Sequence, residues 1–225
     1  MKPIASITTI ENELGVGSIS QHPEIFVLGT LDVVKGHVRV ENFYTGEIKR
    51  GHMHDNSIVL LEIDFPGNFA VSASELGTVI RVFETNTLQV RHELRRGSST
   101  ARITSMSFSP SSQFLLATSN KSTVHIWDLN NQSAESYTGL VTRFLPNYFQ
   151  PTRSYFKMPI NIGSTWAYSE TIPGGPIGTF ISDDQFIIAH LDGNLYYCRI
   201  TSENAIIEKF LGYLEKGEVY SVENK

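Results

Sequence analysis

Most of the chain is written in short apolar runs rich in Val, Ile, Phe and Thr and broken by Gly, Pro, Asn and Ser. That is the pattern of β-strands joined by turns, and long helical periodicity is absent. The runs repeat. Ser57–Phe83 (SIVLLEIDFPGNFAVSASELGTVIRVF) and Arg102–Asp128 (RITSMSFSPSSQFLLATSNKSTVHIWD) superpose without a gap at an offset of 45, setting Ile58 on Ile103, Phe69 on Phe114, Ser74 on Ser119, Thr78 on Thr123 and Val79 on Val124. A period of ~40–45 residues is that of a WD-type propeller blade, and Trp127-Asp128 supplies the dipeptide itself. Two weaker copies flank the pair: Ile25–Gly29 with Gly36–Val40 upstream, and Phe186–His190 with Leu195–Cys198 around Asp192-Gly193 downstream. The expected fold is therefore all-β: one propeller domain over 1–225, with about four blades.

Two stretches depart from this rhythm. Between Leu129 and Tyr155 the chain runs about 25 residues without a strand pattern, far beyond a hairpin loop of 2–5. This segment, 130–154, carries Leu140, Val141, Phe144, Leu145, Tyr148 and Phe149 at spacings that allow a short amphipathic helix around Pro146. Such side chains either pack on a blade edge or meet a membrane or partner. The second departure is Arg91–Arg102, RHELRRGSSTAR, with four Arg and one His against one Glu. Basic residues on a strand edge can simply discourage edge pairing. Here, however, Arg95 and Arg96 are adjacent on an extended segment, so they leave it on opposite sides. Each side has its copy of the repeat: Ser74 and Thr78 with Arg81 beside them, Ser119 and Thr123 with His125. Guanidinium forks with hydroxyl donors suit a phosphate monoester, and Gly77 or Gly97 allows close approach to the backbone.

Composition narrows the classes. The 18 Lys+Arg against 23 Asp+Glu give a net charge of −5, and a broad basic face for nucleic acid is not to be had from that balance. The single cysteine, Cys198, excludes an internal disulfide and fits a reducing compartment and a core thiol. No signal-peptide h-region and no run of eighteen apolar residues is present, so the chain reads as neither secreted nor membrane-spanning.

Leu94-Arg95-Arg96-Gly97, with Ser72–Phe83 before it and Ser119–Ile126 after it, resembles the PROPPIN family. The similarity extends from Asn12-Glu13-Leu14-Gly15 to about Tyr197 and includes Phe144–Phe149. Leu in place of Phe before the arginine pair is similar to the branch containing the WD repeat domain 45 proteins. The resemblance implies a seven-bladed propeller lacking roughly its first three blades. It implies binding of phosphatidylinositol 3-phosphate and the 3,5-bisphosphate, action as an adaptor in autophagy, and a peripheral location on phagophore or endosomal membranes in the cytoplasm. Carried over by position, the first lipid pocket is His54, Ser72, Ser74, Gly77, Thr78, Arg81 and Arg95. The second is Arg96, Gly97, Ser119, Thr123 and His125. The long loop, through Phe144, Leu145, Tyr148 and Phe149, is the membrane-inserting element. An autophagy-related lipid-transfer protein is the implied partner, through blades that this sequence lacks.

Other chemistry is weaker. His52-x-His54 has no further ligand at useful spacing and reads as two blade residues on one strand face rather than a metal site. Gly15-Val16-Gly17-Ser18 precedes no helix pattern, and Asp183-Asp184 reads as a turn. No triad or acid–base pair emerges, so the chain is read as a non-enzyme without a cofactor. The competing reading is a propeller whose basic edge takes an acidic or phosphorylated peptide.

Overall fold

The structure, a computed structural model, describes residues 6–121, 123–130, 152–153, 156–159, 175–190, 193–202, 205–211 and 221–222. Its strands group into four sheets. The first is β1 (Gly17–Ile19), β2 (Val27–Leu31), β3 (His37–Asn42) and β4 (Glu47–His52); the second is β5 (Ile58–Ile63), β6 (Phe69–Ser74), β7 (Val79–Glu84) and β8 (Val90–Arg95). The third begins with β9 (Ile103–Phe108), β10 (Phe114–Ser119) and β11 (Thr123–Asp128). After β11 the chain returns as a short β12 (Thr152–Arg153), which runs parallel to β8, and then as β13 (Phe156–Pro159), the outermost strand of the third sheet. The fourth is β14 (Ile177–Phe180), β15 (Gln185–Ala189), β16 (Leu195–Ile200), β17 (Ala205–Leu211) and β18 (Ser221–Val222). Apart from the parallel β12 on the edge of the second, each sheet is an antiparallel meander of the blade type, so the expected all-β propeller architecture is what forms.

Alternation explains the packing. In β6, Ala70, Ser72 and Ser74 face the first blade while Val71 and Ala73 face the third, and all five are buried. Three apolar clusters result. Val27, Val38 and Val40 meet Leu61, Ala70 and Phe83 between the first and second blades. Val71, Ile80, Val82 and Leu94 meet Met106, Leu115 and Trp127 between the second and third. Leu116, Val124 and Ile126 meet Phe186, Ile188 and Cys198 between the third and fourth. Each large side chain buried this way contributes about 1.5–3 kcal/mol before the entropy of ordering is subtracted. Burial pushes the Cys198 thiol up to about 12, which keeps it protonated and inert, as a core thiol should be.

Polar clasps join the blades. Ser18 Oγ donates to Glu62 (3.0 Å), Ser112 Oγ to Asp64 (2.8 Å), and the Ser111 amide to Asp183 (2.7 Å). Burial raises the carboxyls of Glu62 and Asp64 above their ordinary range. Asp183, read from sequence as a turn residue, does lie in the bend before β15, and it also fastens the third blade to the fourth.

Two expectations need correction. The gap-free offset of 45 holds for β5 on β9 and β6 on β10 but not for β7, which starts at Val79 where β11 starts at Thr123, an offset of 44. The turn of the second blade is one residue longer, so Thr78 and Thr123 are not equivalent; the cross-strand pair Ser72–Arg81 matches Ala117–His125 instead. Second, His54 is not on the strand with His52. It lies beyond β4, buried in the connector, while His52 stays half-exposed near Asp55. Phe144, Leu145, Tyr148 and Phe149 fall outside the described residues.

Candidate anion-binding site

The β6–β7 and β10–β11 turns, the β4–β5 connector and the end of β8 all lie on one rim of the blade array. The sequence-derived residues gather there in two places, one at each junction flanking the second blade.

The first pocket is built on the face of the second blade that looks toward the first. Cross-strand register lines up Ser72, Arg81 and Glu93 in one row, with Ser74 and Arg95 nearer the rim. His54 enters from the connector; its Nε2 lies 3.0 Å from Ser72 Oγ, and its Nδ1 lies 3.5 Å from Arg81 Nη1. Burial first, and the positive charge of Arg81 second, push His54 down to about 4, so its imidazole is neutral near pH 7. Arg81 closes its fork on Glu93 (Nε 3.1 Å, Nη2 3.0 Å) and gives Nη1 to the Met53 carbonyl. Each of its nitrogens already has a protein acceptor. Arg81 therefore braces the pocket, and Arg95, exposed and without an ion pair among the described residues, is the cation free to meet a ligand. Glu93, which sequence reading passed over, is the carboxylate that decides this division; its two-residue spacing from Arg95 was the available signal.

The second pocket lies between the second and third blades. Period-two alternation carries Leu94 and Arg96 to this side, opposite Arg95, as expected from sequence. Arg96 is 9% exposed; its Nε donates to the Gly77 carbonyl at 3.0 Å and its Nη2 to the Ser99 carbonyl. Burial lowers its pKa from the usual arginine value, though not enough to remove the charge. Across the junction, Ser119 is fully buried, and Thr123 Oγ1 lies 3.3 Å from His125 Nε2. His125 stacks on Trp127 with ring centres 5.7 Å apart. Among the described residues this pocket has no carboxylate paired to Arg96, whereas the first has Glu93 built in.

The glycines differ. Gly77 has φ +58°, and a Cβ there would lie 1.8 Å from the Ala101 carbonyl oxygen, so no other residue fits. At Gly97 a Cβ would meet nothing within 4 Å; its surroundings are open to a ligand.

With this geometry in hand, the chain can be set beside known proteins. The PROPPIN family model matches residues 47–146, which span both pockets. Over these residues the chain is similar to the PROPPIN family. SVP1-like protein 2 of Neurospora crassa is 33% identical over 126 residues, covering 56% of this chain and 28% of that protein. SVP1-like protein 2 of Emericella nidulans is 28% identical over 197 residues (80% and 60%). Autophagy-related protein 18 of Saccharomyces cerevisiae is 39% identical over 83 residues (37% and 17%). Among solved structures, Kluyveromyces lactis Hsv2 with its complete loop 6CD superposes with a TM-score of 0.67 at 18% identity, covering 86% of this chain and 61% of that one. A complex of KlAtg21 with the coiled coil of AgAtg16 gives a TM-score of 0.62 at 19% identity, covering 88% and 57%. These superpositions support the propeller fold. The chain spans about 28–60% of the length of the first three curated relatives.

Proposed function

We propose that this chain is a peripheral membrane adaptor of autophagy that takes phosphoinositide headgroups at the two rim pockets. The observation that carries the reading is the placement of Arg95 and Arg96 on opposite faces of the second blade, with Arg95 exposed and in no ion pair among the described residues. A phosphate there gains charge-assisted hydrogen bonds and displaces no ion pair that Arg95 makes with the described residues. Phosphatidylinositol 3-phosphate and the 3,5-bisphosphate are the headgroups implied by the family resemblance. The apolar loop with Phe144, Leu145, Tyr148 and Phe149 supplies the second signal that stable membrane attachment needs. Recruitment to phagophore or endosomal membranes, and of an autophagy-related lipid-transfer protein, are the corresponding cellular expectations.

The test is flotation with phosphatidylcholine vesicles with and without phosphatidylinositol 3-phosphate. Losing one charge-assisted contact of ~1.5–3 kcal/mol should weaken recovery of Arg95→Ala roughly tenfold to a hundredfold, with circular dichroism unchanged. Recovery of Arg95→Ala equal to the parent's, or recovery of the parent that ignores the inositide, would overturn the reading; the second outcome favours an acidic or phosphorylated peptide as ligand. Arg95 is the informative residue, because Arg96 also ties together two backbone carbonyls and its truncation mixes folding with binding.

A further inference from the structure

The second sheet has a strand that the first does not. Past β8, which closes the meander of the second blade, β12 lies parallel to it, with Thr152 in register with Leu94 and Arg153 in register with Arg95. The chain then passes to the third blade, where β13 pairs antiparallel with β11 and sets Met158 against Val124 and Lys157 against His125. The return from segment 130–154 thus lays backbone along the outer edges of both blades that carry the anion pockets. Each pairing puts a basic residue at a register position beside a pocket residue.

Two rows across the sheets define the places. The first runs Val79–Arg95–Arg153. It sets two arginines abreast on neighbouring strands with no acid in the row, and like charges directly opposite one another repel unless an anion stands between them. Arg95 is exposed and makes no ion pair among the described residues. The second row runs Met106–Ala117–His125–Lys157. Its counterpart in the second blade is Ser72–Arg81–Glu93, so the third blade carries a lysine where the second carries the acid that closes the Arg81 fork. Residues in register on adjacent strands share a face of the sheet. Arg95 stands on the face of the first pocket, and His125, 3.3 Å from Thr123, on the face of the second.

We propose that the returning chain completes both pockets with one cation each: Arg153 beside Arg95 in the first and Lys157 beside His125 in the second, each binding a phosphate group of the headgroup held there. Arg153 brings a second guanidinium fork to the phosphate that Arg95 meets; Lys157 brings a compact ammonium charge. The second pocket gains the more, since Arg96 already gives two of its nitrogens to the Gly77 and Ser99 carbonyls. The inference rests on the two-pocket reading and deepens it. The segment that carries Phe144, Leu145, Tyr148 and Phe149 is then rooted, where it returns to the blades, in the residues that read the headgroup, so polar and apolar attachment share one piece of chain.

The test titrates soluble inositol 1,3-bisphosphate calorimetrically into the full chain and its variants. Arg153→Gln should weaken the first site roughly tenfold, the low end of what one charge-assisted hydrogen bond contributes. In an Arg95→Ala background, where the second pocket dominates the titration, adding Arg153→Gln should change nothing, and adding Lys157→Gln should weaken the remaining site by a similar factor. Lys35→Gln, an equal change of charge in the exposed β2–β3 turn, should match the parent. If Arg153→Gln or Lys157→Gln binds as Lys35→Gln does, the inference fails. It fails equally if Arg153→Gln weakens binding in the Arg95→Ala background, because the residue would then serve another pocket. Should either change lower the melting temperature, Arg153→Lys and Lys157→Arg, which keep the charge, must restore most of the affinity; variants that stay weak overturn the assignment. Failure of the two-pocket reading looks different: Arg95→Ala then floats with phosphatidylinositol 3-phosphate vesicles as the parent does, and this inference falls with it.

Discussion

His54 makes stability depend on pH in a way the geometry fixes in sign. The side chain is 3% exposed and its folded pKa is about 4, against an ordinary value of 6.5. As pH falls below 6.5 the unfolded chain takes up this proton first, because the folded imidazole is desolvated and sits beside Arg81. The contribution of His54 is therefore complete above pH 6.5 and is lost as pH falls toward 4. A shift of this size corresponds to about 3 kcal/mol over that window, a large fraction of a marginal domain's stability. Other groups add to the slope: Glu62 and Asp64, with folded values raised by burial, gain stability as pH falls, while His92, lowered first by burial, loses it in the same direction as His54. A difference isolates His54. Urea denaturation of the parent and of His54→Asn at several pH values between 7 and 4.5 should give curves that converge on acidification, with the parent falling more steeply by up to ~1.4 kcal/mol per pH unit. Parallel curves would refute the argument, and with it the neutral imidazole between Ser72 and Arg81. A phosphate bound beside His54 should raise its pKa and flatten the parent's curve.

Glu93→Gln should strengthen headgroup binding at the first pocket, roughly threefold to tenfold, because a charge a few ångströms from Arg81 no longer offsets it; isothermal titration with soluble inositol 1,3-bisphosphate reads this, and weaker binding would show that Glu93 matters only as a strut. Changing Phe144, Leu145 and Phe149 together to Ser should lower vesicle recovery by an order of magnitude or more while soluble headgroup affinity stays the same, since inserted apolar area contributes ~25 cal/mol per Å²; undiminished recovery would assign these side chains to packing.

The period-two strand pattern and the ~45-residue repeat were enough, without coordinates, to establish blades, because burial on both faces of a strand demands apolar residues at a spacing nothing else produces. The opposite exits of Arg95 and Arg96 were equally legible, since alternation along an extended segment is a property of local geometry. Register between strands was not. A one-residue difference in turn length moved Arg81 onto the position of His125 rather than Ile126, and a gap-free alignment is blind to such a slip. Which arginine is free depends on what lies across the sheet: Glu93 opposite Arg81 closes its fork, and Arg95, two residues past Glu93, is left in no ion pair among the described residues. Only hydrogen-bonded neighbours, 9 to 12 residues apart in the chain, turn separate residues into a site, and that adjacency is decided by the tertiary fold.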